Sequence, residues 1–289
     1  MARSIICRTQ LDSAPLTEHG AHEAAPPGEA PLPDVESPSF QQELRRRIAG
    51  DGLRLVGGVD ISAVHAPGED AAANATPQRA FAGLAVLTFP ALEVVFTEER
   101  DVTLTQPYSP GFLGFREVPH LLPLLESARK AGCYPQVVLC DGFGTLHQRG
   151  CGSASHLGVV ANVPTIGVGK TLNAVDGLST SGVRDMMRAA LATDAAAPAR
   201  DRGAKRPSED TLVVRPLRGQ SGRLLGAAMA GHAGSEVPLY VSVGHRVSLA
   251  SAVEVVARCC RHRVPEPIRV ADLRTRERAR EAHAAPRAP

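Results

Sequence analysis

Three acidic residues stand where a carboxylate is either costly or useful. Asp60 lies inside "RLVGGVDISAV", a β-branched alternating run that reads as a strand from Leu55 to Val64. A charge between Val59 and Ile61 is expensive unless it is paired or metal-bound. Asp141 ends "QVVLCD", a bounded apolar run of the kind that forms a central strand buried on both faces. Glu117 sits in "GFLGFREVPHLLPLLESARKAG", whose apolar spacing is helical; Pro119 and Pro123 fall inside it and Gly132 stops it. If the first and central strands are neighbours, Asp60 and Asp141 project from one edge, and Glu117 approaches from the packed helix. Gathered carboxylates repel one another. A divalent cation that takes oxygen ligands, Mg²⁺ or Mn²⁺, relieves the repulsion. Such a cation polarises a phosphate, acidifies a water and steadies a leaving oxygen. Each acid alone has a plainer reading, since Asp after a strand is a common turn former and a helix Glu is commonly solvated.

The turns after Asp141, "GFGTLHQRGCGS", are nearly free of bulky side chains. Gly142, Gly144 and Gly152 let backbone approach a flat ligand, although a lone G-x-G is equally an ordinary loop. His147 suits a phosphate contact, a proton transfer or a cap. "GVGKT" (Gly167 to Thr171) imitates a phosphate loop, but Pro164 stands where that motif needs its first glycine. Lys170 remains useful as a phosphate cation at a strand end. His245, in "SVGHRVS", follows an apolar strand, where it touches a scissile phosphate or merely caps the next helix.

The chain that must position these groups has 289 residues, 43% of them hydrophobic, enough for one large domain or two small ones. A net charge of +2 gives no global field, so a nucleic-acid site has to be a local patch. Seven Phe, three Tyr and no Trp argue against a long base-stacking platform and leave room for one or two stacking residues. Six cysteines without a C-x-x-C spacing disfavour a zinc ribbon. Cys140 reads as strand core and Cys259-Cys260 as helix burial. No leader-like segment opens the chain and no apolar run reaches spanning length. A soluble protein of the cytoplasm or nucleus, with no membrane partner, is expected.

Residues 1–38 are rich in Pro, Ala, Gly and Glu and read as a disordered extension. Phe40 to Ile48 reads as a helix. "RAFAGLAVLTFP" and "LEVVFTEERDV" complete an antiparallel meander with the first strand. "SASHLGVVANV" opens with serines suited to N-capping and continues as a helix. "PTIGVGK", "GRLLGAAMAG" and "LYVSVGHRVS" read as strands, and "LASAVEVVARCCRH" as a helix. Residues 185–210 read as a loose insertion in a domain spanning 39–274, and 275–289 as a charged tail. The class is α/β, a mixed sheet flanked by helices.

Taken together, "GGVDIS", "PYSPGFLGFRE", "CDGFGTLHQRGCGSASHLG", "PTIGVGKTL" and "PLYVSVGHRVSL" resemble the endonuclease V family, in family order, over roughly Phe40 to Leu273. "RVPEPIRVADL" and the Cys259-Cys260 pair resemble its eukaryotic branch. The resemblance implies a ribonuclease H-like fold and hydrolysis of the second phosphodiester bond 3′ to inosine or deoxyinosine. The products carry 3′-hydroxyl and 5′-phosphate ends. It implies Mg²⁺ as cofactor, with Mn²⁺ as a substitute, and roles in RNA processing and DNA repair. Inosine-containing single-stranded RNA is the expected partner, with deoxyinosine DNA beside it, and the protein is expected to be a monomer. By motif match, Asp60 and Asp141 correspond to metal-binding carboxylates and Glu117 to the third acid. His245 corresponds to a late catalytic histidine, and Lys170 and His147 lie near the substrate backbone. Tyr108, between Pro107 and Pro110, matches a wedge that fills the gap left by the displaced base. Gly111, Leu113, Gly142, Gly144, Gly152 and Ser153 match the hypoxanthine pocket. The N-terminal extension, residues 185–210 and the Gly before Lys170 depart from the pattern, which bears on substrate preference. A non-cleaving reader of inosine RNA is the competing expectation, and a nucleotide switch built on "GVGKT" a third.

Overall fold

The computed structural model describes residues 52–64, 77–196, 212–230 and 237–284. The expected N-terminal extension and the Phe40 to Ile48 helix lie outside these residues. An eight-stranded sheet has the order β3-β2-β1-β4-β5-β8-β7-β6. Its strands are β1 (Leu55–Ala63), β2 (Gln78–Thr88), β3 (Val94–Leu104), β4 (Val137–Asp141), β5 (Thr165–Gly169), β6 (Val213–Arg218), β7 (Leu224–Ala230) and β8 (Leu239–His245). The helices are α1 (Leu113–Lys130), α2 (Ser153–Ala161), α3 (Thr180–Ala196), α4 (Leu249–Cys259) and α5 (Glu266–Ala284). β1, β4 and β5 run parallel, and the remaining pairs are antiparallel.

Period-2 alternation sorts the central strand between two cores. Val137 and Leu139 join the cluster under α4 and α5, with Val253, Val256 and Ile268. Val138 and Cys140 join the cluster under α1 and α2, with Val118, Leu124 and Leu157. A strand buried on both faces is what the apolar run demands. By the same parity Asp141 continues the Val137–Leu139 row, and Lys170 continues the Ile166–Val168 row of the same cluster. The chemistry at the end of the sheet therefore leans toward α5.

Two glycines let α5 come that close. A Cβ on Gly58 would meet the Pro267 backbone at 2.1 Å, and one on Gly83 would meet Thr275 Cγ2 at 2.5 Å. Thr275 is fully buried. Residues 275–284 of the segment read as a charged tail are thus the continuous end of α5, and 285–289 lie outside the described residues. Its row Ile268, Ala271 and Thr275 faces the sheet, while its arginines face out.

Three other local readings need correction. Residues from Asp185 are not loose: α3 continues to Ala196, with Val183, Met187 and Ala190 buried against Leu217 and Tyr240. Residues 197–210 lie outside the described ones. β6 was not foreseen because Pro216 interrupts it; it lies at the end of the sheet order, where a missing N–H is tolerated. The serines of α2 do not cap it. Its N-cap is Gly152 without a side-chain bond, and Ser155 Oγ is buried with no partner among the described residues.

Candidate active site

Three carboxylates meet at one end of the sheet. Oxygens of Asp60, Asp141 and Asp272 lie within 4.8 Å of one another. Asp60 and Asp141 come from the adjacent parallel strands β1 and β4, paired up to Val59↔Cys140. Asp272 comes from α5. Glu117, from α1, lines the same cavity of about 210 Å³ with Asp60, Asp141, Ser153 and Leu157.

Electrostatics report the crowding. Burial raises the Glu117 carboxyl to about 8, helped by the charges of Asp60 and Asp141 and opposed by Arg116. Burial also raises Asp60, and Asp272 and Asp141 add to it. Hydrogen bonds to Thr275 and Ser62 work the other way. Thr275 Oγ1 donates to Asp60 Oδ2 at 2.6 Å, and Ser62 Oγ donates to the same oxygen at 3.1 Å. These hydroxyls occupy Oδ2.

One ammonium group partly offsets the negative charge. Lys170 Nζ lies 2.5 Å from Asp141 Oδ2 and 3.5 Å from Asp272 Oδ1. Burial would lower the Lys170 pKa, but the hydrogen bond and charge of Asp141, with Asp272 and Asp60 behind it, raise it overall. Its backbone is anchored too, since Arg263 donates to the Lys170 carbonyl at 2.7 Å. Arg276 flanks Asp272 at 2.8 Å. The all-oxygen donor set fits a hard divalent cation such as Mg²⁺ or Mn²⁺.

The fold therefore brings Asp60, Glu117, Asp141, Lys170 and Ser153 together and adds Asp272, which sequence reasoning missed. A signal for it existed. In a charged helix, the small or apolar row Ile268, Ala271 and Thr275 marks the inward stripe, and Asp272 borders it.

His245 is not brought there. It pairs with Thr165, at the start of β5, whereas Lys170 follows the end of β5 about 13 Å further along the strand. β8 runs antiparallel to β5, so its last residue falls at the opposite end of the sheet. His245 packs beside Gly158 of α2, with Nδ1 buried and without a hydrogen-bond partner among the described residues. His245→Ala is expected to leave single-turnover cleavage within about threefold of wild type, under about 1 kcal/mol of barrier. A loss of 100-fold would restore the histidine to the chemistry.

The loop glycines divide. Gly111 (φ +78°) and Gly142 (φ +151°) have positive φ, one beside Arg149 and His147, the other beside Ser153 Oγ. Gly144 is different. A Cβ there would meet the Val243 carbonyl at 1.8 Å, and its N–H already donates to Ser242 Oγ at 3.0 Å. Gly152 likewise abuts the Phe143 carbonyl and donates to Gly144 O at 2.9 Å. These two glycines seat the loop on β8 and on itself; they do not clear space for a ligand. Gly144→Ala is expected to lose about 3 kcal/mol in urea unfolding. Gly150→Asn, in open space at φ +65°, should be neutral. Equal stability of the two variants would contradict the packing. Tyr108 is exposed between Pro107 and Pro110, and Leu113 opens α1.

Comparison with known proteins gives the family. The Endonuclease V family model matches residues 39–273. The chain belongs to the Endonuclease V family. It is 45% identical over 247 residues to human Endonuclease V, covering 85% of this chain and 78% of that protein. The crystal structure of human ENDOV superposes with a TM-score of 0.68 at 41% identity, covering 85% of this chain and 99% of that one. The Ciona intestinalis Endonuclease V structure superposes at 0.67 with 30% identity, covering 84% and 96%. That protein was crystallised with a 24mer DNA containing an inosine followed by a ribo-adenosine. As a member of the Endonuclease V family, the protein is an endonuclease with a ribonuclease H-like fold.

Proposed function

We propose that the protein is a divalent-metal-dependent endonuclease that hydrolyses the second phosphodiester bond 3′ to inosine. Single-stranded RNA is the preferred substrate and deoxyinosine DNA a second one. The observation that carries this reading is the convergence of Asp60, Asp141 and Asp272 beside Glu117. Asp60 (through Oδ1), Asp141 and Asp272 would hold the cation. A bound Mg²⁺ or Mn²⁺ supplies Lewis-acid activation of the scissile phosphate and the attacking water.

The chain's own groups do the rest. Thr275 and Ser62 fix the Asp60 carboxylate by holding Oδ2. Lys170, 2.5 Å from Asp141 Oδ2, would offer its ammonium to a phosphate oxygen of the substrate. Glu117 lines the same cavity, and a bound cation would favour its ionised form, which could then accept a proton beside the reacting phosphate. Tyr108, half exposed, would fill the gap left by a displaced base.

The test uses matched inosine and adenosine oligonucleotides, as RNA and as DNA, with and without Mg²⁺. Expected are 5′-phosphate products one nucleotide beyond the inosine linkage, only with Mg²⁺ and only from inosine strands, faster from RNA. Tight inosine-selective binding with no product in Mg²⁺ or Mn²⁺ would make the protein a non-cleaving reader instead.

A further inference from the structure

Among the described residues the exposed aromatic side chains are Tyr108 (50%), Phe112 (44%) and Phe115 (63%). All three fall in the β3–α1 connection and the first turn of α1, in a chain with only ten Phe and Tyr residues. Leaving a Phe ring in water forfeits about 2 kcal/mol of burial. Phe115 lies on the outward face of α1, in line with Phe112 and Pro119, while Gly114 and Arg116 face inward.

The rings are held in place. The Arg149 guanidinium lies 3.5 Å from the Phe112 ring centroid, and the same group donates to the Gly111 carbonyl at 2.6 Å. Phe112 and Phe115 are tilted at 51° with centroids 6.0 Å apart. His156 meets Phe115 in a T-shaped contact at 4.7 Å. That geometry braces the Phe115 ring and leaves at least one face uncovered. The location is specific. Glu117 and Leu121 of α1, with Ser153 and Leu157 of α2, line the acidic cavity, and Phe115 and His156 are outer neighbours on the same two helices.

We infer that Phe115, braced by His156 and by the Arg149–Phe112 pair, is a stacking platform for a nucleobase next to the scissile linkage. This rests on the nuclease reading above. An exposed ring with an open face, next to an arginine-stacked Phe112 and on a helix that lines the acidic cavity, fits single-stranded nucleic acid. Every base has a π face, so the platform holds the strand without reading its sequence. It accounts for strand grip in a chain too poor in aromatics for a long stacking surface.

The test measures binding of a labelled inosine RNA by anisotropy in Ca²⁺, to prevent cleavage, and single-turnover cleavage in Mg²⁺. Phe115→Ala should weaken affinity about tenfold, the scale of one lost base stack. Its saturating cleavage rate should stay within about threefold of wild type, its melting temperature should be unchanged, and Phe115→Trp should restore affinity. An abasic scan of the flanking positions locates the contact. At one position, base removal should cost wild type about tenfold and cost Phe115→Ala nothing more. Unchanged affinity of Phe115→Ala, or equal losses by both proteins at every position, overturns the platform. So does sedimentation showing self-association of wild type that Phe115→Ala abolishes, since a second copy would then cover the rings. Absence of cleavage by wild type with the abasic coupling intact would sink the nuclease reading and leave the platform standing.

Discussion

Asp141→Ala is expected to reduce Mg²⁺-dependent cleavage by at least about 1,000-fold, because a lost ligand forfeits several kcal/mol of charge stabilisation at about 1.4 kcal/mol per tenfold. Asp272→Ala should do the same, although it lies on the last helix and in no motif that sequence reading selected. The folds should survive. Asp141→Ala relieves repulsion from Asp60 and Asp272 but takes from Lys170 its contact at 2.5 Å, and the two effects oppose each other. Thermal melting in EDTA should therefore move little. Calorimetric titration with Mn²⁺ gives a second readout, and binding by the variants should be at least tenfold weaker. Near wild-type turnover and Mn²⁺ affinity in either variant would remove that residue from the metal site.

The second large effect concerns pH. The Glu117 carboxyl stands at about 8 in the folded protein, against an ordinary 4.5. Between those values the native state holds a proton that the unfolded chain has released. Stability from this group is therefore undiminished below about pH 4.5 and falls as pH rises. The full cost is reached once the folded carboxyl ionises, above about pH 8. Glu117→Gln removes that slope. In EDTA the variant should gain on wild type with rising pH, reaching about 1–3 kcal/mol at pH 9, a discounted share of about 1.4 kcal/mol per pKa unit. Filling the site with Mg²⁺ draws the proton off Glu117 and should narrow the gap. Parallel stability curves for the two proteins from pH 5 to pH 9 would show that Glu117 is not in the crowded environment described.

What could be read from sequence follows from which interactions are local. β4 announces itself because Val137 to Cys140 are buried on both faces, and Asp141 is legible as its polar end. Asp60 is legible because a charge inside a β-branched run has to be explained. α1 survives its two prolines because Pro119 and Pro123 sit on the exposed side. Asp272 hides because a helix crowded with arginines looks solvated all round, and only the docking onto Gly58 and Gly83 shows its inner side. His245 misleads for a reason of register. A histidine ending a strand reaches the C-terminal edge of a parallel sheet, but β8 is antiparallel and ends at the other edge. α3 is missed because the Ala-, Arg- and Pro-rich stretch that follows it colours its own composition. The row Val183, Met187 and Ala190 nevertheless has helical spacing.

The hydrogen bond from Thr275 to Asp60 spans 215 residues of chain. During synthesis at about 5–20 residues per second, roughly 10–40 s separate the emergence of Asp60 from that of the helix bearing Asp272 and Thr275. In that interval β1, α1 and β4 can form, yet the nascent chain lacks the last acid and the hydroxyl that orients the first. A growing chain still tethered to the ribosome thus lacks the complete carboxylate cluster. The order in which the residues occur delays the nuclease until its final helix has docked.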